Sequence, residues 1–495
     1  MFGVPAEVEG LDPTRSLWGP TGHMYARTVY DRLAALDAAG RPRPYLARSI
    51  LPNANHTSWT ISLRPGVRFH NGDRLTARDL AANFAAHQAS PLTAPVLANV
   101  AGFHARGLHD FVIEMHEPWV PFHHWLAGGI GSQIAYVAHP QVFSAGGGDH
   151  PIGTGPFVFK EWVTGDHFTA VRNPRYWRRG LPYLDSVTWK PITDDQSRQA
   201  DLEAGTIDGL LSSATQTVAD LRPNRAFNYL DDTDVDLGET DVGFVVLNLD
   251  DPVTGDMRIR LALAHATAPR TYVNLVDNGI LAPADGLFRS GSTYYSPTGY
   301  PSYDLSRARQ LLAAVAAERG AVPAITLSTT TDATALVDAS LLQRMWRQAG
   351  AQVTIAQFPI RSLVDRTIDG SFQAATGRQF AASDPDLNYL WWSGRTAGPP
   401  GSVALNFSRN RDPAIQAALD RGRTTSDPSR RASAYRTVNE RLAQDLPYLW
   451  LDHPVWMAAT SRTVVNWAHP TFPSGAGQAG FFQGIVDPLC MWRSG

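Results

Sequence analysis

The residues of this 495-residue chain that could carry out chemistry do not assemble into a recognised catalytic pattern. One Gly-x-Gly-x-x-Gly match, at Gly475, Gly477 and Gly480, follows Pro473 and Ser474 rather than a strand, so it does not fit a dinucleotide-binding loop. The chain contains neither a Gly-x-Ser-x-Gly elbow nor a His-Glu-x-x-His sequence, the commonest hydrolase signatures. No nucleophile, base and oxyanion site are suggested together, so the sequence does not predict an enzyme.

Histidines come closest to a metal-binding pattern, in a run made up of His104, His109, His116, His123 and His124. Their spacings match no compact ligand set, and adjacent histidines would point apart on a helix or a strand. The single cysteine, Cys490, can form neither an internal disulfide nor a thiolate metal site. We therefore expect no catalytic residues, no bound metal and no cofactor.

Composition excludes further classes of protein. The chain has 43 basic and 46 acidic residues, a net charge of −3, which argues against general nucleic-acid binding and polybasic membrane association. No stretch approaches the roughly 18 apolar residues of a transmembrane helix. The start, MFGVPAEVEG, lacks the basic and apolar regions of a signal peptide, and we expect it to lie just inside a mature domain.

Strand and helix patterns alternate along the whole chain. Alternating or apolar runs predict strands at Ser58–Leu63, Val187–Ile192, Gly243–Leu249 and Ala324–Leu327. Helical spacing predicts helices at Leu75–His87 (capped by Thr76), Arg258–Ala266, Asp304–Arg319, Ala333–Ala349, Asp412–Arg421 and Ser429–Gln444. This alternation predicts an α/β protein with parallel or mixed sheets covered by helices.

Several longer segments occur together and in a definite order. They include VYDRL at 29–33, WTISLRPGVRFHNGDRLTARDLAANF at 59–84, PIGTGPFVFK at 151–160, RNPRYW at 172–177 and DMRIRLALAHA at 256–266. These segments resemble the oligopeptide/dipeptide-binding family of solute-binding proteins of ABC importers, which also includes nickel and glutathione binders. The LRPGVRFHNGDRLTARDL stretch is the most specific signature, and the resemblance covers about nine-tenths of the chain.

The resemblance implies a two-lobed, type II periplasmic-binding-protein-like clamp with an extra α/β domain inserted in the first lobe. Lobe one would be 1–36, 152–242 and 454–495, the inserted domain 37–151, and lobe two 243–453. Segments Val242–Asn248 and Asp452–Ala458 would be the hinges on which the lobes close around a solute.

The resemblance also implies where a ligand would bind. One region is the loop before the VYDRL helix, with Trp18, Thr21, Gly22 and His23. The other precedes and follows a D-P-D sequence, with Gly377, Arg378, Gln379, Phe380, Ala381, Asp384, Trp391 and Trp392. Trp391 and Trp392, if in a strand, would face opposite ways, with one in the core.

This second region departs from the pattern of the family. Peptide binders place an aspartate three positions before the D-P-D, where it grips the α-ammonium of the ligand, but this chain has Ala381. A tryptophan common six positions before the D-P-D is replaced by Arg378, which would favour an anionic group of the ligand. Alternatively, Arg378 is solvated or pairs with Asp384.

The function implied is that of an extracytoplasmic receptor, periplasmic or at the cell surface. It would bind a peptide or peptide-like ligand and deliver it to the permease subunits of an ABC importer. We expect a monomer tethered to the plasma membrane through an N-terminal lipid, with no nucleic-acid partner. The alternative is a receptor of the same fold for a non-peptide ligand such as a metal chelate or haem.

Overall fold

A computed structural model describes residues 1–16, 18–234, 241–277 and 279–494. The chain forms two compact units. Unit 1 contains Met1–Gly238, Ala382–Leu387 and Val455–Gly495, and unit 2 contains Glu239–Ala381 and Asn388–Pro454. No helix in the described part is both long and apolar enough to cross a membrane.

Unit 1 is built around a mixed sheet with seven strands among the described residues. Their order across the sheet is Phe227–Asp231, Met457–Ser461, Gly209–Ser212, Phe2–Val4, Ser186–Pro191, His167–Arg172 and Phe157–Val163. The short strand Phe2–Val4 runs parallel to both of its neighbours. Tyr25 packs on this sheet against Phe168 and Trp189, with ring centroids 4.9 and 6.2 Å apart, and forms an aromatic core.

A second, antiparallel sheet of unit 1 has four described strands, in the order Ala47–Pro52, Ser58–Leu63, Asp110–Met115 and Val100–Arg106. All four lie inside the predicted inserted domain. Two-stranded ribbons join Ala34–Leu36 to Pro42–Pro44 and Val464–Val465 to Trp492–Arg493. The α-helices described in unit 1 are Pro20–Val29, Ala77–Ala89, Phe122–Trp125, Asp195–Glu203 and Thr215–Leu221.

The family-like segments of unit 1 meet at one buried carboxylate, that of Asp31. Its oxygens accept hydrogen bonds from Thr154 Oγ1 at 2.9 Å, Tyr176 Oη at 2.9 Å and Trp177 Nε1 at 2.8 Å. Burial raises the pKa of Asp31 to about 6, against the opposing effect of these donors. The VYDRL, GTGP and RNPRYW segments therefore share a structural role, because each supplies one part of this network.

Close packing explains why the GTGP segment has glycine at positions 153 and 155. A Cβ atom on Gly153 would lie 2.0 Å from the carbonyl oxygen of Val29, and one on Gly155 would lie 2.5 Å from the Val29 carbonyl carbon. Only glycine allows this close approach to the end of the helix Pro20–Val29. The segment packs here within unit 1.

Unit 2 has a mixed sheet with six described strands, in the order Ala282–Pro283, Tyr448–His453, Val242–Leu247, Ala374–Gln379, Ala324–Thr330 and Gln352–Phe358. Val242–Leu247 is antiparallel to both of its neighbours, whereas Ala324–Thr330 is parallel to both of its own. The described α-helices are Met257–Ala266, Pro269–Val276, Leu305–Arg319, Ala333–Gln348, Ile360–Asp369, Tyr389–Trp392, Pro413–Thr424 and Pro428–Asp445.

The predicted strands and helices are confirmed to within a few residues. The predicted helix from Leu75 begins at Ala77, and its cap is Thr76, whose backbone N–H donates to the Asp79 carboxylate at 2.8 Å. The lobe boundaries and hinges stay predictions. Part of the predicted first lobe, 235–240, lies outside the described residues, and the predicted second lobe includes Ala382–Leu387, which the structure groups with unit 1.

Candidate functional site

The first predicted ligand region is helical, so the expectation of a loop there is wrong. Residues Pro20–Val29 form a helix with proline at its first turn, and the VYDRL segment follows that helix rather than forming one. Trp18 lies just before the helix, and Thr21, Gly22 and His23 lie within its first turns. A Cβ atom on Gly22 would lie 2.7 Å from the Cβ of Trp18, which explains the glycine.

These side chains are buried and hydrogen-bonded inside unit 1. Trp18 is 3% exposed and donates from Nε1 to the Gly10 carbonyl at 3.0 Å. His23 is fully buried, with Nδ1 2.9 Å from the Tyr136 hydroxyl. Burial, reinforced by the charges of Arg27 and Arg32, holds the pKa of His23 well below its usual value. His23 is therefore a neutral core histidine at physiological pH, and ligand contact by this region stays a prediction.

The D-P-D segment belongs to unit 1, where its acids make structural contacts. The carboxylate oxygen Oδ2 of Asp386 accepts hydrogen bonds from Trp119 Nε1 at 2.7 Å and Trp125 Nε1 at 2.8 Å. Asp384 is 5% exposed and accepts the backbone N–H of Asp386 at 2.9 Å, as an aspartate that caps a turn does. His124 lies 3.8 Å from Asp384. The segment is thus anchored by an aromatic and polar cluster of unit 1.

Arg378 binds a carboxylate of unit 2 that the sequence did not nominate. Its Nε lies 2.6 Å from Oδ2 of Asp241, a fully buried side chain. The other oxygen of Asp241 accepts the backbone N–H of Ala381. The sequence did not predict this contact with Asp241, and the region of the lost aspartate therefore contains a carboxylate after all. Solvation of Arg378 and its pairing with Asp384 stay predictions.

A glycine makes room for a second carboxylate near Arg378, that of Asp452. Gly243 lies opposite both Arg378 and Asp452 in the sheet, and a Cβ atom there would lie 2.5 Å from the Asp452 carboxylate. Burial raises the pKa of Asp452 to about 6, while the nearby Arg378 guanidinium opposes that shift. Arg378 therefore acts on two acids, Asp241 by direct contact and Asp452 through its charge.

Three further predicted residues, Gly377, Gln379 and Phe380, are neighbours of Arg378 and Ala381 in the sequence. Gly377 is required by the Phe244 ring, 2.8 Å from a hypothetical Cβ, and Gln379 donates to Asn388 Oδ1 at 2.8 Å. The Phe380 ring centroid lies 5.9 Å from the Arg378 guanidinium carbon.

Trp391 and Trp392 lie in the short helix Tyr389–Trp392 rather than in a strand. Trp392 is 3% exposed and meets Phe288 edge-on, whereas Trp391 is partly exposed beside Phe407. One tryptophan side chain is therefore in the core, as expected, although the two side chains point apart from a helix rather than from a strand.

No group of three or more His, Cys, Asp or Glu side chains in the described ranges is arranged to hold a metal ion. His123 and His124 lie on the short helix Phe122–Trp125 and contact different neighbours. His123 stacks on the Trp59 ring, whereas His124 Nδ1 lies at hydrogen-bond distance, 3.1 Å, from the Ser383 hydroxyl. The described site offers charge and hydrogen bonding: a partly exposed arginine paired with a buried aspartate, a second buried acid and partly exposed aromatic rings.

Sequence reasoning missed Asp241, Trp119 and Trp125. Their partners are far away along the chain, so no local spacing reveals the contacts. An acid next to the apolar strand Val242–Leu247 was the only local signal for Asp241, since a carboxylate at a buried strand end needs a partner.

Comparison with known proteins decides the family. The model of the bacterial extracellular solute-binding proteins, family 5 (Middle), matches residues 41–400. The chain belongs to this family. The family resemblance drawn from the motifs is therefore confirmed, and this solute-binding protein is extracytoplasmic.

Curated relatives and a solved structure extend the comparison. The solute-binding protein is 25% identical over 466 residues to the glutathione-binding protein of Shigella dysenteriae serotype 1, covering 90% of this chain and 87% of the relative. It is 26% identical over 505 residues to di/tripeptide-binding protein 2 of Pseudomonas aeruginosa, covering 93% and 90%. Its fold matches the periplasmic binding protein AgaA of A. tumefaciens R10, solved with agropinic acid, with a TM-score of 0.86, 20% identity and coverage of 100% and 98%. The predicted α/β, type II periplasmic-binding-protein fold class is confirmed.

Proposed function

We propose that this solute-binding protein binds a peptide or peptide-like solute and delivers it to the permease subunits of an ABC importer. The observation that carries the proposal is the match of residues 41–400 to the family, together with relatives named for glutathione and for di- and tripeptides. The protein acts by binding and release, and we propose no catalytic step. Nothing in the described site favours the metal chelate or haem alternative over the peptide.

The arrangement around Ala381 supports a particular mode of peptide recognition. Asp241 is already bound by Arg378 and by the Ala381 backbone N–H, so its negative charge is largely compensated. A compensated carboxylate attracts an incoming ammonium less strongly than a free one. We therefore propose that residue 381 does not grip the ligand's α-ammonium and that a free amino terminus is not required at this position.

The proposed ligand-contacting side chains are those of the predicted set that keep accessible surface in unit 2. Arg378 retains 22% of its side-chain surface, and Gln379, Phe380 and Trp391 are also partly exposed. We also propose that the protein is a monomer and carries an N-terminal lipid that tethers it to the plasma membrane.

Calorimetry with a small panel of solutes tests the proposal. The panel consists of di- and tripeptides, their N-acetylated forms, glutathione, haem and a nickel–histidine chelate. We expect peptides to bind, with N-acetylated and free forms within about threefold of each other, which is under 1 kcal/mol. Binding of haem or the chelate with no binding of any peptide would overturn the proposal in favour of the alternative.

A further inference from the structure

Unit 2 contains a group of three acids that includes Asp452, the acid on which the Arg378 charge acts. Asp277 ends the helix Pro269–Val276, Asp338 lies in the helix Ala333–Gln348, and Asp452 lies in the strand Tyr448–His453. The first helix packs against both of the other elements, which brings the carboxyls together. Asp277, Asp338 and Asp452 are called the acidic cluster below.

The acidic cluster lies away from water and has unused hydrogen-bonding capacity. Asp277 and Asp452 are each 7% exposed, and Asp338 keeps part of its surface accessible to solvent. The Tyr272 hydroxyl partly offsets the rise in the pKa of Asp338. No described residue provides a hydrogen bond to Oδ2 of Asp277 or to Oδ1 of Asp338, although both atoms are buried. Buried carboxylate oxygens without donors are costly.

Charge in the acidic cluster is not balanced by the arginine beside it. The Arg378 guanidinium acts on Asp452, but it is bound to Asp241 at 2.6 Å. Asp277 feels the charges of both Asp338 and Asp452. Burial, reinforced by this repulsion, raises the pKa of Asp277 to about 8 and that of Asp338 to about 7. A cation that entered the cluster would relieve the repulsion and supply the absent donors.

The chemistry of the cluster selects the kind of cation. The described residues offer no group of acids close enough together to hold a metal ion, so a single small ion does not fit. Guanidinium and ammonium groups carry several N–H donors that point in different directions and can reach separate carboxyls. We propose that the acidic cluster binds the guanidinium or ammonium group of an organic cation carried by the solute. This inference rests on the proposed function only in taking the cation to be part of the transported solute.

Small probes test the cluster independently of peptides. Ligand-observed NMR with butylguanidinium, butylammonium and the neutral isostere butylurea is performed on the whole protein. We expect the two cations to bind and butylurea to bind at least tenfold more weakly, and the stronger of the two cations identifies the preferred group. Equal binding of butylguanidinium, butylammonium and butylurea would overturn the proposal.

Variants and pH link this binding to the carboxyls. Asp277→Asn, Asp338→Asn and Asp452→Asn should each weaken cation binding about tenfold or more, whereas Asp365→Asn, at an exposed acid of unit 2, should not change it. Affinity should rise with pH below about pH 8, by up to tenfold per unit, because the cation displaces a proton from Asp277 or Asp338. The Asp277, Asp338 and Asp452 variants are expected to fold, since asparagine matches aspartate in size and carries no charge, and thermal unfolding checks this. Unchanged cation affinity in all three folded variants would contradict the inference.

A matched peptide pair separates this inference from the proposed function. An arginine-containing tripeptide and its citrulline counterpart, both with blocked termini, differ only in the charge of one side chain. If both peptides bind equally and the Asp→Asn variants bind them unchanged, the cation site is wrong while the peptide function stands. If neither peptide binds but butylguanidinium binds in a cluster-dependent way, the cation site stands and the peptide function is wrong.

Discussion

The Arg378 guanidinium contacts the buried Asp241 carboxylate at 2.6 Å, and the same carboxylate accepts the backbone N–H of Ala381. Arg378, Asp241 and Ala381 are thus joined by direct contacts, although Asp241 is far from the other two residues along the chain. Arg378 stabilises the end of a sheet as well as being available, through its partly exposed surface, to a solute. The predictions below separate these two roles.

Replacing Arg378 with alanine should destabilise unit 2. The substitution leaves the fully buried Asp241 without its guanidinium partner, a loss that costs about 3 kcal/mol. Chemical denaturation measures the free energy of unfolding, and peptide affinity is measured on the same sample. The double variant Arg378→Ala with Asp241→Asn should recover most of the lost stability because no charge is left unpaired. Unchanged stability together with lost affinity would instead assign Arg378 to the ligand alone.

Introducing an acid at position 381 should alter specificity. Ala381→Asp adds a carboxylate that Arg378 cannot neutralise while it is bound to Asp241, so peptides with a free amino terminus should gain about tenfold over N-acetylated peptides. Calorimetry with matched free and acetylated tripeptides measures the ratio. Ala381→Asn is the control of similar size and should leave the ratio near one. A ratio near one for Ala381→Asp as well would mean that this position is remote from the ligand's amino terminus.

Asp31 should make the stability of unit 1 depend on pH. Its pKa is about 6 in the folded protein against an ordinary value of 3.8, so the folded state holds its proton more tightly than the unfolded state. The stabilising contribution is then fully present below about pH 4 and is lost as the pH rises through 6, by about 3 kcal/mol.

Asp31→Asn isolates this contribution. The amide oxygen can still accept from Thr154 and Trp177, which share one carboxylate oxygen, and its NH₂ group can donate to the Tyr176 hydroxyl. The difference in unfolding free energy between wild type and variant should therefore change between pH 4 and pH 7 in favour of the variant. A difference that stays constant over this range would show that Asp31 is ionised at both values.

Asp386→Ala should loosen the contact between the D-P-D segment and the tryptophans of unit 1. Trp119 and Trp125 are fully buried, and the substitution removes the oxygen that accepts both of their indole N–H groups. Each unsatisfied donor costs about 1–3 kcal/mol. Asp386→Asn keeps an acceptor and should retain most of the stability, which thermal unfolding followed by tryptophan fluorescence measures. Equal loss in both variants would indicate that the charge of Asp386, rather than its oxygen, is what matters.

Local patterns predicted the elements of the fold because they depend on neighbours in sequence. Thr76 and Asp79 are three residues apart, and their cap could be recognised from that spacing. The expectation of a VYDRL helix came with the family resemblance and is wrong: Pro20 marks an earlier helix start, and the Asp31 carboxylate is fixed by its hydrogen bonds just beyond the helix end at Val29.

The candidate site was less predictable because its contacts join distant parts of the chain. The family resemblance directed attention to Ala381 as a lost acid, but Asp241, which lies beside it, is 140 positions away. Likewise, the tryptophan partners of Asp386 are more than 260 positions away along the chain. Such pairings depend on how whole sheets and helices pack, which residue spacing does not encode.

The large sheet of unit 1 carries a consequence for how the protein is made. Its strand Met457–Ser461 lies between Gly209–Ser212 and Phe227–Asp231, so Thr460 pairs with Gly209 across a long stretch of chain. During synthesis this sheet stays incomplete until that late strand has left the ribosome. Closing such long loops is slow, because chain entropy is lost before the contacts form. A nascent chain that folds late stays unfolded for longer and can still be translocated, which suits a protein that must cross a membrane before it works.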